Sequence, residues 1–200
     1  MISLPSSRHL VEEESRACPS PSSPAPPGAG KTTISAALAR SKQRGVHLPT
    51  DHWYHWIVTG YVPPWKPQAS TQNTTVIEAI ASSTARYSAG GYHVVVDGII
   101  GPWFFERFID AMGHPPAGVD YVVLRPARHV ALARANGRTG DRDLTDPGPI
   151  TAMYDAFEDL GSFEHHAVDT THQDPAATLA VISQGLDSGA FALTRTSSSD

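Results

Sequence analysis

The sequence has few of the features that mark secreted, membrane-spanning or nucleic-acid-binding proteins. Cys18 is the one cysteine among 200 residues, so no disulfide can form within the chain. No apolar run approaches the roughly 18 residues that a membrane-spanning helix requires. Lysine and arginine number 15 against 20 aspartates and glutamates, and the net charge of −5 argues against nucleic acid or an anionic membrane as a partner. These absences predict a cytoplasmic protein of about one domain.

Proline divides the chain near residue 26. Residues 18–27 read CPSPSSPAPP, and such a segment forms neither a helix nor an inner strand because proline lacks the N–H donor. We predict an irregular leader over residues 1–25 and a folded domain over residues 26–190. A disordered tail is predicted over residues 191–200, where the polar sequence TRTSSSD ends the chain.

Helix-like and strand-like patterns alternate through the predicted domain. YHVVVDG and VDYVVL are short apolar runs, typical of strands that are buried on both faces of a parallel sheet. Shorter strands are predicted at about 46–49 and 165–169, and residues 53–67 are predicted to be irregular with one helical turn. Apolar residues with a helical period predict helices at about 32–44, 73–88, 102–112, 127–136, 149–160 and 175–187. This alternation predicts an α/β fold with a parallel sheet and right-handed crossovers.

The most informative segment joins the proline-rich leader to the first predicted helix. It reads APPGAGKTT over residues 25–33, close to the pattern G-x-x-x-x-G-K-[ST], in which backbone amides and a helix N-terminus surround nucleotide phosphates. Lys31 would reach the β- and γ-phosphates, and the Thr32 hydroxyl would ligate Mg²⁺. The alternative is a flexible Gly-Pro turn with a chance lysine. The predicted phosphate-binding residues are Gly28, Ala29, Gly30, Lys31, Thr32 and Thr33.

Two features depart from this phosphate-loop pattern. Ala25 stands where the pattern has its first glycine, and prolines stand where an apolar strand should lead into the loop. A central parallel strand cannot be built from residues without N–H donors, so we expect the first strand to be degenerate or missing. A frame-shifted or mis-started leader, in place of a valine-rich strand, would explain this composition.

Five motifs occur in the order seen in one group of enzymes. APPGAGKTT is followed by HLPTD, VVVDG, the arginine-rich NGRTGDR and VDTTH. In this order they resemble the P-loop small-molecule kinases, and most closely the chloramphenicol phosphotransferase-like members, over residues 28–185. The resemblance implies a P-loop NTPase three-layer fold of the shikimate-kinase type with a mostly parallel sheet. It also implies ATP-dependent phosphorylation of a small-molecule hydroxyl, with Mg²⁺ as cofactor.

Charged residues after the predicted strands are the remaining catalytic candidates. Asp51 and Asp97 should lie at the carboxyl edge of the sheet, where ligands bind in such folds. The resemblance implies that Asp51 is the base or the orienter of the acceptor hydroxyl. Asp97 could hold Mg²⁺ through water or contact the acceptor. A helix N-cap and a strand-end turn are the respective structural alternatives. In this fold Arg134, Arg138 and Arg142 would close over ATP and, with Lys31, act on the transferring phosphoryl group, unless they form a solvated basic face.

Aromatic residues cluster in the two stretches that follow Asp51 and Asp97. The four tryptophans, Trp53, Trp56, Trp65 and Trp103, all lie there. Aromatic walls suit a flat or apolar acceptor, and ordinary core packing is the alternative.

The leading hypothesis is therefore an ATP-dependent phosphotransferase that acts on an alcohol group of a small molecule. One alternative is a nucleotide-binding P-loop protein without phosphotransfer, which Ala25 and the absent strand favour. Another is a toxin-like kinase of a nucleotide sugar. ATP turnover with and without candidate acceptors separates the first two hypotheses, and a screen of acceptors separates the first from the third.

Overall fold

A computed structural model describes residues 2–4, 30–113, 118–136 and 147–193 of the chain. The strands are β1 (Ile2–Leu4), β2 (Gly45–Pro49), β3 (His93–Asp97), β4 (Asp120–Tyr121), β5 (Val123–Leu124) and β6 (Ala167–Val168). The α-helices are α1 (Lys31–Arg40), α2 (Thr50–His55), α3 (Ser70–Ala89), α4 (Phe105–Met112), α5 (Arg128–Asn136), α6 (Pro147–Ala156) and α7 (Pro175–Asp187). Short 3₁₀ helices span Pro67–Ala69, Pro102–Phe104 and Gly161–His166.

The strands form a mostly parallel arrangement, as the alternating sequence pattern predicts. One sheet has the order β2-β3-β1-β4, and β5 pairs with β6. The β2–β3 and β5–β6 pairs are parallel, whereas β1 is antiparallel to both β3 and β4. Since β4 and β5 are consecutive parts of one chain segment, separated by Val122, every strand except β1 runs in the same direction. The prediction of an α/β fold with a mostly parallel sheet is confirmed.

The first strand is short and antiparallel rather than missing. Ile2–Leu4 lies between β3 and β4, with Ile2 opposite both Val96 and Tyr121. An empty slot would leave the inner edges of β3 and β4 with unpaired backbone groups, and the apolar sequence ISL supplies partners for them. The expectation of irregular chain over residues 1–25 is therefore corrected at these three residues. The proline-rich residues 18–25 lie outside the described residues.

Helices cover both faces of the sheet and give the predicted three layers. Successive side chains of a strand point to opposite faces. Val95 accordingly belongs to a core cluster with residues of α1 and α7, namely Ile34, Leu38, Ala39, Ile182 and Leu186. Val94 and Val96 belong to a second cluster with residues of α3 and α4, including Ile77, Ile80, Phe108 and Met112. None of the helices in the described ranges combines the length and the apolar character needed to cross a bilayer.

The end of the domain lies further along the chain than predicted. Phe191 is buried in the core cluster that contains Val95, and Ala192 forms a β-bridge with Asp120. A Cβ atom at Gly185 would lie 2.1 Å from the Phe191 ring, so glycine in α7 makes room for this packing. The predicted disordered tail over 191–200 is therefore corrected at residues 191–193. Residues 194–200 lie outside the described residues.

Asp120 is a buried carboxyl group that should make stability depend on pH. It is fully buried in β4, and neither carboxyl oxygen has a hydrogen-bond partner among the described residues. Burial raises the pKa of Asp120 from 3.8 to about 7, because the charged form loses its hydration. As the pH rises, the unfolded chain therefore releases this proton before the folded protein does. The free energy of unfolding should fall as the pH rises from about 4 to about 7.

We expect Asp120→Asn to raise the melting temperature at pH 8 much more than at pH 5. The free energy of unfolding at pH 8 should rise by an amount on the order of 2–4 kcal/mol, because the neutral amide avoids burying a charge. Thermal unfolding at both pH values measures it. Asp110→Asn, at an exposed carboxylate of α4, is the control and should show no such difference. An equal shift at both pH values would contradict this account of Asp120.

Candidate active site

The first helix begins directly at the glycine-rich segment. Gly30 adopts a left-handed backbone conformation with φ of 85°, which residues with side chains rarely adopt, and Lys31 begins α1. The first turn of α1 contains no acidic residue that would offset its positive end, so its amides suit an anion. Thr32 and Thr33 are exposed in this turn, whereas the Lys31 side chain is buried. Gly28 and Ala29 lie outside the described residues.

Asp97 brings together residues from three elements at the carboxyl end of β3. Its side chain is 3% exposed and accepts hydrogen bonds from His47 Nε2, at 3.2 Å from Oδ2, and from the Thr32 hydroxyl. Burial alone would raise the pKa of Asp97. These two hydrogen bonds and the nearby positive charge of Lys31 lower it below its ordinary value instead. Asp97 is therefore a carboxylate at neutral pH, in contact with the residue predicted to ligate Mg²⁺.

Asp51 lies at the same edge of the sheet as Asp97, but outside the group formed by Asp97, His47, Lys31 and Thr32. Pro49 ends β2 directly opposite Asp97, and Asp51 follows two residues later in the first turn of α2. The N-cap of α2 is Pro49, so Asp51 does not take the N-cap position that was its structural alternative. Its side chain is exposed. Burial, then the negative charge of Asp51, raises the pKa of Tyr54, which shows that the phenol lies near this carboxylate.

Gly98 allows the two strand ends to approach each other. A Cβ atom at Gly98 would lie 1.8 Å from the Thr50 hydroxyl oxygen, and Thr50 is buried. A larger residue at position 98 would therefore push the start of α2, and with it Asp51, away from Asp97. The sequence signal for this contact is the glycine that follows Asp97 in VVVDG, which was considered only as part of a strand-end turn.

Two of the three arginines that were predicted to close over ATP lie outside the described residues. Arg138 and Arg142 belong to residues 137–146, which the structure does not describe. Arg134 is in α5, which starts four residues after β5 ends and so leaves the carboxyl edge of the sheet. The role of the three arginines stays a prediction.

The VDTTH motif connects the ends of β5 and β6. Asp169 accepts hydrogen bonds from the Thr171 amide and hydroxyl, and the Thr171 hydroxyl in turn accepts one from the Ala127 amide at 2.7 Å. Arg125 pairs with Glu164 and also donates to the carbonyl groups of residues 157 and 158. These contacts hold the chain after β5, which is a structural role in positioning the start of α5.

Aromatic residues remain exposed beside Asp51. Of the seven large apolar side chains that are exposed in the described ranges, five lie in the two stretches after Asp51 and Asp97: Trp56, Val58, Tyr61, Trp65 and Trp103. The segment that carries four of them is held in place, because the Gln72 amide bonds both backbone groups of Val62, at 2.9 and 2.6 Å. Their exposure argues against the alternative of ordinary core packing at these five positions.

The predicted Mg²⁺ site can be compared with the side chains that the structure brings together. Within the described part of the chain, no three His, Cys, Asp or Glu side chains form a group that could hold a metal ion. A Mg²⁺ ion at Thr32 and Asp97 would thus also need ligands from nucleotide phosphates and water, which is usual for this ion.

His47 was not predicted, because its contact with Asp97 depends on the register between β2 and β3.

Comparisons with solved structures extend over most of the chain. A sugar kinase from Janibacter sp. HTCC2649 matches with a TM-score of 0.60 and 16% identity, over 88% of this chain and 99% of that one. Shikimate kinase from Acinetobacter baumannii, in complex with shikimate, gives 0.57 and 20%, over 84% and 92% of the two chains. The tunicamycin resistance protein of Deinococcus radiodurans gives 0.58 and 17%, over 84% and 94%. The fold is that of the P-loop small-molecule kinases.

The P-loop kinase fold confirms the resemblance seen in the motifs. In this fold nucleotide phosphates lie at the N-terminus of the helix that follows the phosphate loop, which here is the first turn of α1. In this chain that turn contains Lys31 and Thr32, and the Asp97 carboxylate contacts Thr32. No family model matches the sequence, and a comparison with curated proteins gives no match.

Proposed function

We propose that the protein is an ATP-dependent kinase that transfers the γ-phosphoryl group of ATP to a hydroxyl of a small molecule. The proposal depends on the residues that meet around Asp97 at the start of α1. Thr32 donates to the buried Asp97 carboxylate beside Lys31, and Asp51 lies at the same edge of the sheet. A chance Gly-Pro turn would have no reason to place a lysine and a threonine against a buried aspartate at a strand end.

Nucleotide binding is assigned to the start of α1. The amides of residues 30–33 and the Lys31 ammonium would bind the phosphates, since both present positive charge at the same place. Thr32 and Asp97 would hold Mg²⁺, and their oxygen atoms are the ligands this ion prefers. When bound, Mg²⁺ neutralises charge on the phosphates during transfer.

Phosphoryl transfer is assigned to Asp51 together with the three arginines that were predicted to close over ATP. The acceptor hydroxyl oxygen attacks the γ-phosphorus, the bond from that phosphorus to the bridging oxygen breaks, and ADP leaves. The hydroxyl proton passes to the Asp51 carboxylate, which is exposed and so open to an acceptor. Arg134, Arg138 and Arg142 would stabilise the negative charge on the transferring group.

The exposed aromatic side chains indicate the chemistry of the acceptor. Trp56 is 66% exposed and Trp103 is 56% exposed, in the stretches that follow Asp51 and Asp97. A Cβ atom at Gly101 would lie 2.3 Å from the Trp103 ring, so this ring covers the loop that leaves β3. Flat or apolar molecules that carry a hydroxyl gain most from such surfaces. We therefore propose an acceptor with an apolar face.

The test of the proposed function is transfer of labelled phosphate. The protein is incubated with γ-labelled ATP, Mg²⁺ and either a pool of apolar alcohols or a pool of sugars and nucleotide sugars. A labelled product from the first pool, absent with Asp51→Asn, supports the proposal. A product from the nucleotide sugars alone would replace the proposed acceptor with the alternative one. Nucleotide binding without transfer to either pool would favour a P-loop protein that does not catalyse phosphotransfer.

A further inference from the structure

His47 contacts Asp97, but the chemistry proposed for Lys31, Thr32 and Asp97 gives it no role. It lies in the middle of β2, where its Cα is paired with that of Val95. Side chains two residues apart on a strand share a face, so His47 and Asp97 both point toward the face that α1 covers. The Nε2–Oδ2 distance of 3.2 Å and the small exposed fractions of 17% and 3% make this a sheltered hydrogen bond.

The position of this bond determines how the Asp97 carboxylate is oriented. Asp97 also accepts a hydrogen bond from Thr32 and lies near the Lys31 ammonium. With Oδ2 bonded to His47, the carboxylate cannot rotate without losing this hydrogen bond. Without His47, Oδ2 would lose this partner, and a buried charge is costly unless it is paired and hydrogen-bonded.

We propose that His47 is a positioning residue that orients Asp97 for Mg²⁺. The inference rests on the proposed function, because it concerns the metal and phosphate site of that same reaction. His47 itself would contact neither the nucleotide nor the metal. Residues that hydrogen-bond a metal ligand typically change metal affinity by about 10–100-fold when they are replaced.

The experiment measures Mg²⁺ affinity rather than catalysis. A fluorescent ADP analogue is bound to the protein, its affinity is measured with and without Mg²⁺, and Mg²⁺ is then titrated into the complex at one pH. His47→Leu and His47→Phe remove the donor while keeping an apolar side chain of suitable size. His47→Gln retains an N–H donor close to the position of Nε2. His55→Leu, at an exposed histidine of α2, is the matched control.

We expect the Leu and Phe variants to bind Mg²⁺ about 10–100-fold more weakly in the complex, with ADP affinity in the absence of Mg²⁺ little changed. The Gln variant and the His55→Leu control should stay close to the wild type. An equal loss of ADP affinity with and without Mg²⁺ would overturn the proposal, because a role in packing alone predicts that result. If both apolar variants fail to fold while the Gln variant folds, the role of His47 is structural and the proposal is also overturned.

The wild-type titration separates this inference from the proposed function. If the wild-type protein does not bind ADP, both the phosphate-site assignment and the role of His47 are wrong. If it binds ADP and the two apolar variants keep wild-type Mg²⁺ affinity, only the role of His47 is wrong.

Discussion

Replacing Lys31 with methionine should weaken ATP binding by about 10–100-fold and reduce phosphoryl transfer by roughly 10²–10³-fold. The ammonium group is the charged donor at the start of α1, and hydrogen bonds to charged groups contribute more than neutral ones. Methionine is used rather than alanine because the Lys31 side chain is buried, and its aliphatic part would leave a cavity if it were removed. Equilibrium titration with ATP and steady-state turnover measure the two effects.

The variant also removes the positive charge beside Asp97. Since Lys31 helps to lower the pKa of Asp97, a thermal unfolding curve should accompany the binding data. Lys42→Met is the matched control, because Lys42 lies beyond the other end of α1 and away from the first turn. Unchanged ATP affinity in a folded Lys31→Met protein would show that the phosphate-loop assignment is wrong.

Replacing Asp51 with asparagine should lower the rate of phosphoryl transfer by about 10²–10⁴-fold while ATP affinity stays nearly unchanged. Asparagine has almost the same shape but cannot accept the proton of the acceptor hydroxyl. Asp51 is exposed and lies outside the group formed by Lys31, Thr32 and Asp97, so nucleotide binding should not depend on it. Transfer rate against both substrates, together with the dissociation constant for ATP, separates these quantities.

The control for Asp51 must account for the helix in which it lies. An aspartate in the first turn of α2 is stabilised by the positive end of that helix, and its loss could lower the melting temperature slightly. Glu106→Gln tests this effect, because Glu106 is an exposed carboxylate in the first turn of α4. If Asp51→Asn keeps full activity and loses only as much stability as Glu106→Gln, the carboxylate contributes to the helix and not to catalysis.

Much of the fold could be predicted from local patterns in the sequence. The apolar run VVVD forms β3 and VDYVVL contains β4 and β5, because strands buried on both faces need continuous apolar residues. The helical periods predicted α3 and α7 to within about three residues at each end, since the apolar stripe of a helix is visible in the sequence. The helix α2 was predicted only as one helical turn within residues 53–67, because aromatic and histidine residues there gave no clear period.

The candidate site was predictable to the extent that its residues lie next to strand or helix ends. Gly30, Lys31 and Thr32 could be identified from their spacing alone, because the phosphate loop is formed by consecutive residues. Asp51 and Asp97 could be placed at one edge of the sheet, because the carboxyl ends of parallel strands meet there. Direct contact between Thr32 and Asp97 could not be predicted, since it depends on how closely α1 packs on β3.

The sequence by itself determined most of the order of helices and strands and the edge of the sheet at which Asp51 and Asp97 lie, because these follow from neighbouring residues. Only the tertiary structure decided that Ile2–Leu4 occupies the slot between β3 and β4, because pairing across a sheet joins segments that are remote in the chain. It also decided the partner of His47, since the β2–β3 register sets which side chains meet. The β-bridge between Asp120 and Ala192 is a tertiary property for the same reason, because the two residues are far apart in the sequence.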